Sequence, residues 1–268
     1  MGTPFYDVHS SDTDTMSVDV VIPTRGEPSL NSCLLALEKC MRINHIILVG
    51  PKNLQSKFKD QKDILFVPSN VTNVGKNRSL GLKYVATKYY ASIDSDVIVN
   101  KEWFEWCMRT IANEKVGACE GFYRYIGRRA RILVKDFAKG KDWLGLGNTM
   151  LRTDIVRKVG MPQNRFMEDY ALVCRIRSIG YQWILNPEIT TLHLESDLDY
   201  LKKRVRWGEI GGQDVLQPKI WSRNVIGLLI KGPERYGLLD TLFYLIGEWL
   251  ALYGYLRSKL KQKTDRLR

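Results

Sequence analysis

Two carboxylates separated by one small residue follow an apolar run in this sequence. The run Tyr89–Ile93 leads directly into Asp94, Ser95 and Asp96. Such a run predicts a buried strand of an α/β sheet, and ligands of open α/β folds bind at the carboxyl ends of the strands. Two neighbouring acids repel each other unless a cation lies between them, and their oxygen atoms suit Mg²⁺ or Mn²⁺. An acidic turn that caps the next helix is the alternative interpretation of an isolated D-x-D pattern.

Other polar residues could complete a site around this pair. The first β-rich run closes on residues against whose backbone a nucleotide could lie, namely Pro23, Thr24, Arg25 and Glu27. A predicted helix begins close to Lys76 and Arg78, and two cations beside open amide groups suit a diphosphate. A second pair of acids, Glu168 and Asp169, begins another predicted helix. On its own, this second pair could simply complement the positive end of the helix dipole.

Alternating strands and helices must position these residues. The sequence predicts strands at 18–23, 46–49, 64–67, 89–93 and 183–185. The spacing of apolar residues predicts helices that begin at Ser29 and Lys101, and helices over 75–88, 153–159 and 168–179. This alternation predicts an α/β fold with a doubly wound, mostly parallel sheet flanked by helices.

Composition limits the class of protein. The chain has 268 residues, 44% of them hydrophobic, which suffices for one large domain or for a domain with an appendage. A net charge of +12 favours anionic partners such as nucleotides, phospholipid surfaces or nucleic acid. The five cysteines are scattered and odd in number, so we expect buried thiols in a reducing compartment. Residues 1–17 are polar and lack the apolar core of a signal peptide, which predicts a disordered tail and a cytoplasmic protein.

The end of the chain changes character. Residues 237–256 are long and apolar but contain Asp240 and Glu248, and basic residues follow them. An acid near the middle of a membrane costs about 2.5–3.5 kcal/mol, so two acids argue against a spanning helix. We expect residues 216–268 to form a helical extension that lies on the cytoplasmic face of an anionic membrane. Packing on the protein itself or on another subunit is the alternative.

The motifs together resemble an inverting family 2 glycosyltransferase of the GT-A fold. The resemblance covers roughly residues 18–210 and rests on stretches in the family's order: VDVVIPTRGE, GKNRSLGL, IDSD, GNTMLRTD, MEDYALVCRIRSIGY and KRVRW. It implies a GT-A domain over residues 18–215, followed by the helical extension. It also implies an enzyme that moves a sugar from a UDP- or GDP-sugar to a glycan or lipid-linked acceptor with Mn²⁺ or Mg²⁺ as the cofactor.

The resemblance implies a role for each matched residue. Asp94 and Asp96 match the motif for metal and diphosphate, and Asp96 is favoured as the direct ligand. Asp169 matches the carboxylate that takes the proton from the acceptor hydroxyl, and Glu168 is its neighbour in the pair. His193 lies where several members supply a further metal or diphosphate contact, although an ordinary strand-end histidine is the alternative. The implied contacts to the nucleotide sugar are Pro23, Thr24, Arg25, Glu27, Lys76, Arg78, Asp94, Ser95, Arg206 and Trp207.

Two positions depart from the family pattern. Lys203 stands where a Q-x-x-R-W motif has glutamine, which weakens any expectation of processive polymer synthesis. Gly50 and Pro51 follow the second strand where the family usually has an acid that binds the nucleobase. Base recognition must then come from elsewhere, with Arg25, Glu27 and Arg78 as the candidates. Because of these departures, a catalytically silent sugar-binding or nucleotide-binding relative is the alternative function.

Two further classes of protein fit less well. A nucleotidyltransferase would need a glycine-rich loop with a lysine after the first strand, and the stretch PTRGE lacks that loop. A nucleic-acid-binding protein would concentrate its basic residues on one face with exposed aromatic side chains. Here the cations are spread widely while the acids cluster, so no nucleic-acid partner is expected.

Overall fold

The structure is a computed structural model, and it describes residues 17–40, 42–128, 142–164, 167–211 and 218–266. The predicted N-terminal tail therefore lies outside the described residues, apart from residue 17. The described residues divide into two compact units. The first contains the residues up to Tyr123 and Asp142–His193, and the second contains residues 124–128 and those from Leu194 onward. The predicted domain boundary at residue 215 stays a prediction.

Eight strands of the described chain form one sheet, in the order β3-β2-β1-β4-β7-β6-β8-β5. They are β1 Val18–Pro23, β2 Ile43–Gly50, β3 Ile64–Pro68, β4 Tyr89–Ile93, β5 Val97–Ile98, β6 Val116–Tyr125, β7 Asn148–Arg152 and β8 Gln182–His193. Strands β3, β2, β1 and β4 are parallel to one another, whereas β7 is antiparallel to β4 and β6, and β5 is antiparallel to β8. The predicted α/β fold, with a mostly parallel sheet flanked by helices, is confirmed.

The parallel strands end level with one another. Pro23 pairs with Val49 across β1 and β2, and Gly50 pairs with Pro68 across β2 and β3. Strand β4 lies on the other side of β1, and its last residue, Ile93, is followed directly by the D-x-D motif. The carboxyl ends of these strands therefore share one edge of the sheet, which is where open α/β sheets bind ligands.

The described helices flank the sheet or follow it. They are α1 Leu30–Cys40, α2 Gln55–Phe58, α3 Val74–Leu82, α4 Lys101–Ile111, α5 Thr153–Val159, α6 Glu168–Ser178, α7 Asp197–Gly211, α8 Pro218–Tyr236 and α9 Leu238–Arg266. Helices α5 and α6 pack on the sheet through a shared core that includes Ile155, Leu172 and Ile176. This packing fixes the start of α6, which carries the second acidic pair.

Helix α3 is shorter than the sequence predicts, because the backbone that follows Leu82 forms hydrogen bonds with side chains distant in the sequence. Arg157 Nη2 donates to the carbonyl oxygens of Leu82 and Val85, at 3.4 and 2.6 Å. The buried carboxylate of Asp19 accepts hydrogen bonds from the amides of Ala86 and Thr87. The prediction of a helix to residue 88 was therefore wrong, since these side chains hold the backbone in a turn.

The cysteines only partly follow the sequence prediction. Cys33, Cys107 and Cys119 are buried thiols, but Cys174 is exposed on helix α6. The expectation that all five thiols are buried was therefore wrong. Residues one turn apart on a helix share a face, so Cys174 lies on the same exposed side of α6 as Tyr170.

The second unit is a helical assembly. Helix α7 packs closely against α9, because Gly208 and Gly254 lie where any Cβ atom would collide with the backbone of the facing helix. Tyr200 stacks on Phe243 with ring centroids 5.5 Å apart. Arg204 of α7 pairs with Glu248 of α9. Among the described helices, none has a stretch long and apolar enough to cross a membrane.

Candidate active site

Three side chains at the carboxyl edge of the sheet could hold a metal ion. Asp94, Asp96 and His193 each offer one ligand atom, and these atoms all lie within 4.8 Å of one another. His193 Nε2 lies 3.8 Å from Asp96 Oδ1. Two carboxylate oxygens and one imidazole nitrogen are a donor set that suits Mn²⁺ or Mg²⁺. The residues present therefore fit the expected cofactor.

Strand pairing explains how a histidine far along the chain reaches the D-x-D motif. Strand β5 follows Asp96 immediately, and Val97 pairs with His193 at the end of β8. The histidine side chain is 7% exposed, and Tyr123 packs edge-on against its ring with the ring centroids 5.3 Å apart. The structure thus brings together the three residues that the sequence assigned to the metal.

Arg78 joins the two acidic pairs. Its Nη2 lies 2.5 Å from Asp94 Oδ1, and its Nη1 lies 2.7 Å from Glu168 Oε1. Helix α3 can approach the start of α6 this closely because Gly75 has no side chain; a Cβ there would lie 2.7 Å from the carbonyl oxygen of Pro162. Arg78 is 4% exposed, so it is a buried link between the carboxylates and not an open phosphate contact.

Burial and the facing charges have opposite effects on the pKa values of Glu168 and Arg78. Burial raises the pKa of the Glu168 carboxyl, and the facing charge of Arg78 offsets only part of that rise. For Arg78, burial alone would lower the guanidinium pKa, but Asp94 and Glu168 outweigh it and the pKa lies above its ordinary value. The arginine therefore stays charged and gives both carboxylates an ionic partner, in a largely buried place at Glu168 and in a partly exposed one at Asp94.

The second acidic pair starts helix α6 after a strained residue. Met167 has left-handed backbone angles, with φ of 59° and ψ of 28°, and it directly precedes Glu168. Asp169 is half-buried, and its Oδ1 accepts a hydrogen bond from the Tyr170 amide at 2.8 Å. Its Oδ2 lies beside Gly145, where a Cβ would be 3.5 Å away. Glu168 thus points to Arg78, whereas Asp169 lies at the wall formed by Gly145.

The loop after β1 is tied to the D-x-D motif by Glu27. One oxygen of its carboxylate, Oε2, accepts hydrogen bonds from Thr24 Oγ1 at 2.8 Å, from the Arg25 amide at 3.0 Å and from Ser95 Oγ at 2.9 Å. Burial alone would raise the Glu27 pKa, but these hydrogen bonds outweigh it and the pKa lies below its ordinary value. Glu27 therefore fastens Ser95 to the loop that begins after Pro23.

The other predicted donor contacts lie at the same edge of the sheet. Arg25 Nη2 donates to the Thr72 carbonyl at 3.1 Å and links the β1 loop to the segment before α3. The side chain of Lys76 is exposed. The Lys76 amide already donates to Asn73 Oδ1 at 3.0 Å, so this amide is a capped helix start and is not open to a diphosphate.

Arg206 and Trp207 lie on helix α7 of the second unit, and their role as donor contacts stays a prediction. Trp207 packs edge-on against Tyr200, with ring centroids 6.2 Å apart. Lys203, in place of the family's glutamine, lies 2.6 Å from the buried carboxylate of Glu195. This position therefore carries an ion pair within its own unit.

Two residues of the site were not found from the sequence. Tyr123 and Glu120 lie on β6, a strand that the sequence does not assign. A Cβ on Gly147 would collide with the Tyr123 hydroxyl and with Asp94 Oδ2, so this glycine gives both groups room to approach. The signal in the sequence that could have indicated this close approach is Gly147 itself, which lies in the stretch GNTMLRTD.

A family comparison agrees with this geometry. The model for glycosyl transferase family 2 matches residues 19–170, which is more than half of the chain and includes the D-x-D motif and the Glu168–Asp169 pair. Comparison with curated proteins gives no significant match.

Solved structures with related folds include known glycosyltransferases. The mannosyltransferase PcManGT from Pyrobaculum calidifontis, in complex with GDP-Man and Mn²⁺, is 15% identical with a TM-score of 0.61 over 94% of this chain and 81% of that one. TarS residues 1–349 from S. aureus are 12% identical with a TM-score of 0.53 over 92% of each chain. GalNAc-T7 with UDP, GalNAc and Mn²⁺ is 11% identical with a TM-score of 0.56, and the match covers 69% of this chain and 44% of that one.

These likenesses at low identity show the fold, and the family model shows the relationship. The family match covers the two acidic pairs and most strands of the sheet, and the D-x-D pair in it belongs to the candidate metal site. The chain belongs to glycosyl transferase family 2, and it is a glycosyltransferase with the GT-A fold.

Proposed function

We propose that the enzyme moves a hexose from a nucleotide-sugar donor to a hydroxyl of a glycan or lipid-linked acceptor, with inversion at the anomeric carbon. The observation that carries this proposal is the chain of contacts Asp94–Arg78–Glu168, which joins the candidate metal site to the acidic pair that includes Asp169. One end of this chain suits a diphosphate and the other suits a hydroxyl nucleophile.

At the donor end, Asp96 and His193 would hold Mn²⁺ or Mg²⁺, with Asp94 beside them. The ion would neutralise the charge that develops on the diphosphate as it leaves. Asp94 already shares its charge with Arg78, so Asp96 is the carboxylate better placed for direct ligation. PcManGT with GDP-Man and GalNAc-T7 with UDP both contain Mn²⁺, which supports the same pairing of donor and cofactor here.

At the acceptor end, Asp169 acts as the general base. It removes the proton of the acceptor hydroxyl while that oxygen attacks the anomeric carbon from the face opposite the diphosphate. The bond from the anomeric carbon to the phosphate oxygen breaks, and its electron pair stays with the diphosphate. Glu168 cannot share this task, because Arg78 engages its carboxylate and little of it is exposed.

The nucleobase is held by residues other than an acid after β2, since Gly50 occupies that position. A Cβ there would lie 2.6 Å from the Thr24 carbonyl oxygen, so a larger residue would push the two loops apart. Arg25, Glu27 and Arg78 are the predicted alternatives. Arg78 is buried and Glu27 is half-buried, whereas Arg25 is exposed and its Nη2 donates to the Thr72 carbonyl, so Arg25 is the strongest candidate of the three.

We also infer that the second unit rests on the cytoplasmic face of an anionic membrane. Helix α9 exposes seven large apolar side chains at alternating spacings of three and four residues, each between 47% and 67% exposed: Leu239, Leu242, Ile246, Trp249, Tyr253, Leu256 and Leu260. We name these residues the α9 stripe. The two acids that interrupt the apolar sequence lie elsewhere, because Glu248 pairs with Arg204 and Asp240 lies 3.8 Å from Arg128.

A lipid surface fits the α9 stripe better than a second helix does. Coiled-coil partners are selected by charged residues on both sides of the apolar seam. The α9 stripe is instead flanked by the half-buried side chains of Leu245, Leu250 and Leu252, which widen the apolar face. Basic residues continue the helix at Arg257, Lys259 and Lys261, where they suit anionic headgroups.

Donor turnover tests the proposed reaction. The protein is incubated with Mn²⁺ and a panel of GDP-, UDP- and TDP-sugars, and the released nucleoside diphosphate and the anomer first formed are followed by NMR. We expect one donor to be consumed with inverted configuration. Retained configuration would contradict the inverting mechanism, and neither binding nor turnover of any donor would favour a catalytically silent relative.

A further inference from the structure

Glu120 carries a buried carboxyl group that the transfer step does not use. It lies on β6 and is 0% exposed. Its Oε1 accepts hydrogen bonds from the Leu144 amide and from Trp183 Nε1, both at 2.8 Å, and its Oε2 accepts one from the Gly145 amide at 3.1 Å. Burying a polar group costs stability unless its hydrogen-bond partners offset the loss of water. The burial of Glu120 therefore indicates that this side chain has a specific role.

The strand next to Glu120 holds the same segment from the other side. Glu120 pairs with Thr149 in the register of β6 and β7. Thr149 Oγ1 donates to the Gly145 carbonyl oxygen at 2.7 Å. The amide of Gly145 is thus held by one member of this cross-strand pair, and its carbonyl is held by the other.

Gly145 is the residue that lies beside the candidate base. A Cβ on Gly145 would be 3.5 Å from Asp169 Oδ2 and 3.9 Å from the Tyr123 hydroxyl. The Gly145 backbone therefore borders the Asp169 carboxylate on one side, with room for about one further carbon atom between them. A shift of this backbone would change where that carboxylate can lie.

We propose that Glu120 is a positioning residue, which clamps Leu144 and Gly145 against Asp169 so that the base keeps one geometry towards the attacking hydroxyl. This inference rests on the proposed role of Asp169. Misplacing a reacting group by about 1 Å can cost about 100-fold in rate, so a residue that fixes the backbone bordering the base affects catalysis without touching the substrate.

A second buried carboxylate supplies a matched control. Asp19, on β1, accepts hydrogen bonds from Asn44 Nδ2 and from the amides of His45, Ala86 and Thr87. It is 0% exposed like Glu120, but none of these four hydrogen bonds involves Leu144, Gly145 or Asp169. The variants are Glu120→Ala and Asp19→Ala. Glu120→Gln and Asp19→Asn serve as milder pairs if either alanine variant fails to fold.

The first measurement separates binding from turnover. Each variant is titrated with GDP- and UDP-sugars in Mn²⁺, and transfer of the bound sugar to water is then followed as release of nucleoside diphosphate per donor-binding site. We expect Glu120→Ala to keep the wild-type donor affinity and to lose about 100-fold in rate. Glu120→Gln, which keeps one accepting oxygen, should lose less. Equal rates per site in the Glu120 and Asp19 variants would overturn the inference.

The second measurement does not depend on the reaction. Amide hydrogen exchange at Leu144 and Gly145 should be faster in the Glu120 variants than in the wild type, and unchanged in the Asp19 variants. Unchanged protection of these two amides in Glu120→Ala would refute the clamp whatever the rates are. If the wild type binds no donor, the proposed function fails, and the exchange experiment still decides whether the clamp exists.

Discussion

Arg78 Nη1 lies 2.7 Å from Glu168 Oε1, and this ion pair connects helix α3 to the start of helix α6. The other nitrogen of the same guanidinium group contacts Asp94 Oδ1. One buried arginine thus serves both the D-x-D motif and the first acid of the second pair. Because Glu168 is engaged in this way, its surroundings differ from those of the adjacent Asp169, which lies beside Gly145.

Replacing Arg78 with methionine should destabilise the protein strongly. The change leaves Glu168 and Asp94 facing each other without their shared cation, and breaking a buried ion pair from one side costs about 3–5 kcal/mol. Urea denaturation measures this loss. Arg175→Met, which removes an exposed arginine from the same helix as Glu168, is the control and should cost less than about 1 kcal/mol. An equal loss in both variants would contradict the buried link.

Replacing Asp169 with asparagine should stop transfer and spare donor binding. The amide cannot accept the proton of the hydroxyl, and removing a general base lowers the rate by about 10²–10⁴-fold. Calorimetry gives the donor affinity, and release of nucleoside diphosphate gives the rate. Asp154→Asn alters an exposed acid in the first turn of α5 and should change neither value. Near-normal transfer in Asp169→Asn would remove this residue as the base.

The parallel half of the sheet could be predicted because each strand there is a short apolar run with clear ends. Strand β6 could not, since its buried residues include Gly117, Gly121 and Glu120, which break the apolar pattern. Strand β8 was predicted only at 183–185, because Asn186 and Pro187 read as its end. The strand instead continues to His193, with its middle residues partly exposed.

The residues of the candidate site likewise divide into those that a local motif reveals and those that it does not. Asp94, Asp96 and the Glu168–Asp169 pair could be found because each forms a local motif. The partners of Glu27 and Arg78 could not, because the Ser95 and Glu168 contacts depend on loops brought together by the sheet. Glu120 and Tyr123 carry no local signal, and only the pairing of β6 with β7 places them near Asp94 and Asp169.

The Glu120 carboxyl should make stability depend on pH. Burial raises its pKa to about 8, so between about pH 4.5 and pH 8 the folded protein keeps a proton that the unfolded chain has lost. The free energy of unfolding should therefore fall as the pH rises through this window, by on the order of 5 kcal/mol in all. The difference between wild type and Glu120→Gln in urea denaturation isolates this effect. A difference that does not change with pH would contradict the raised pKa.

Charges placed on the α9 stripe should release the protein from vesicles. Trp249→Glu with Leu256→Glu removes two apolar contacts, at roughly 1.5 kcal/mol each, and should weaken binding about 100-fold. Sedimentation with phosphatidylserine-containing vesicles measures the binding. The control makes the same charge change at two exposed apolar residues of the first unit, Leu35→Glu with Tyr84→Glu. Equal binding by the two double variants would refute the membrane contact.

The most direct test of the account is a calorimetric titration of nucleotide sugars into wild type and Asp96→Asn, each with Mn²⁺ and with chelator. Asp60→Asn, which changes an exposed acid outside the site, is the control. We expect one donor to bind the wild type and Asp60→Asn only when Mn²⁺ is present, and Asp96→Asn to lose that Mn²⁺-dependent binding. Unchanged Mn²⁺-dependent affinity in Asp96→Asn would contradict the metal site on which the proposed reaction depends.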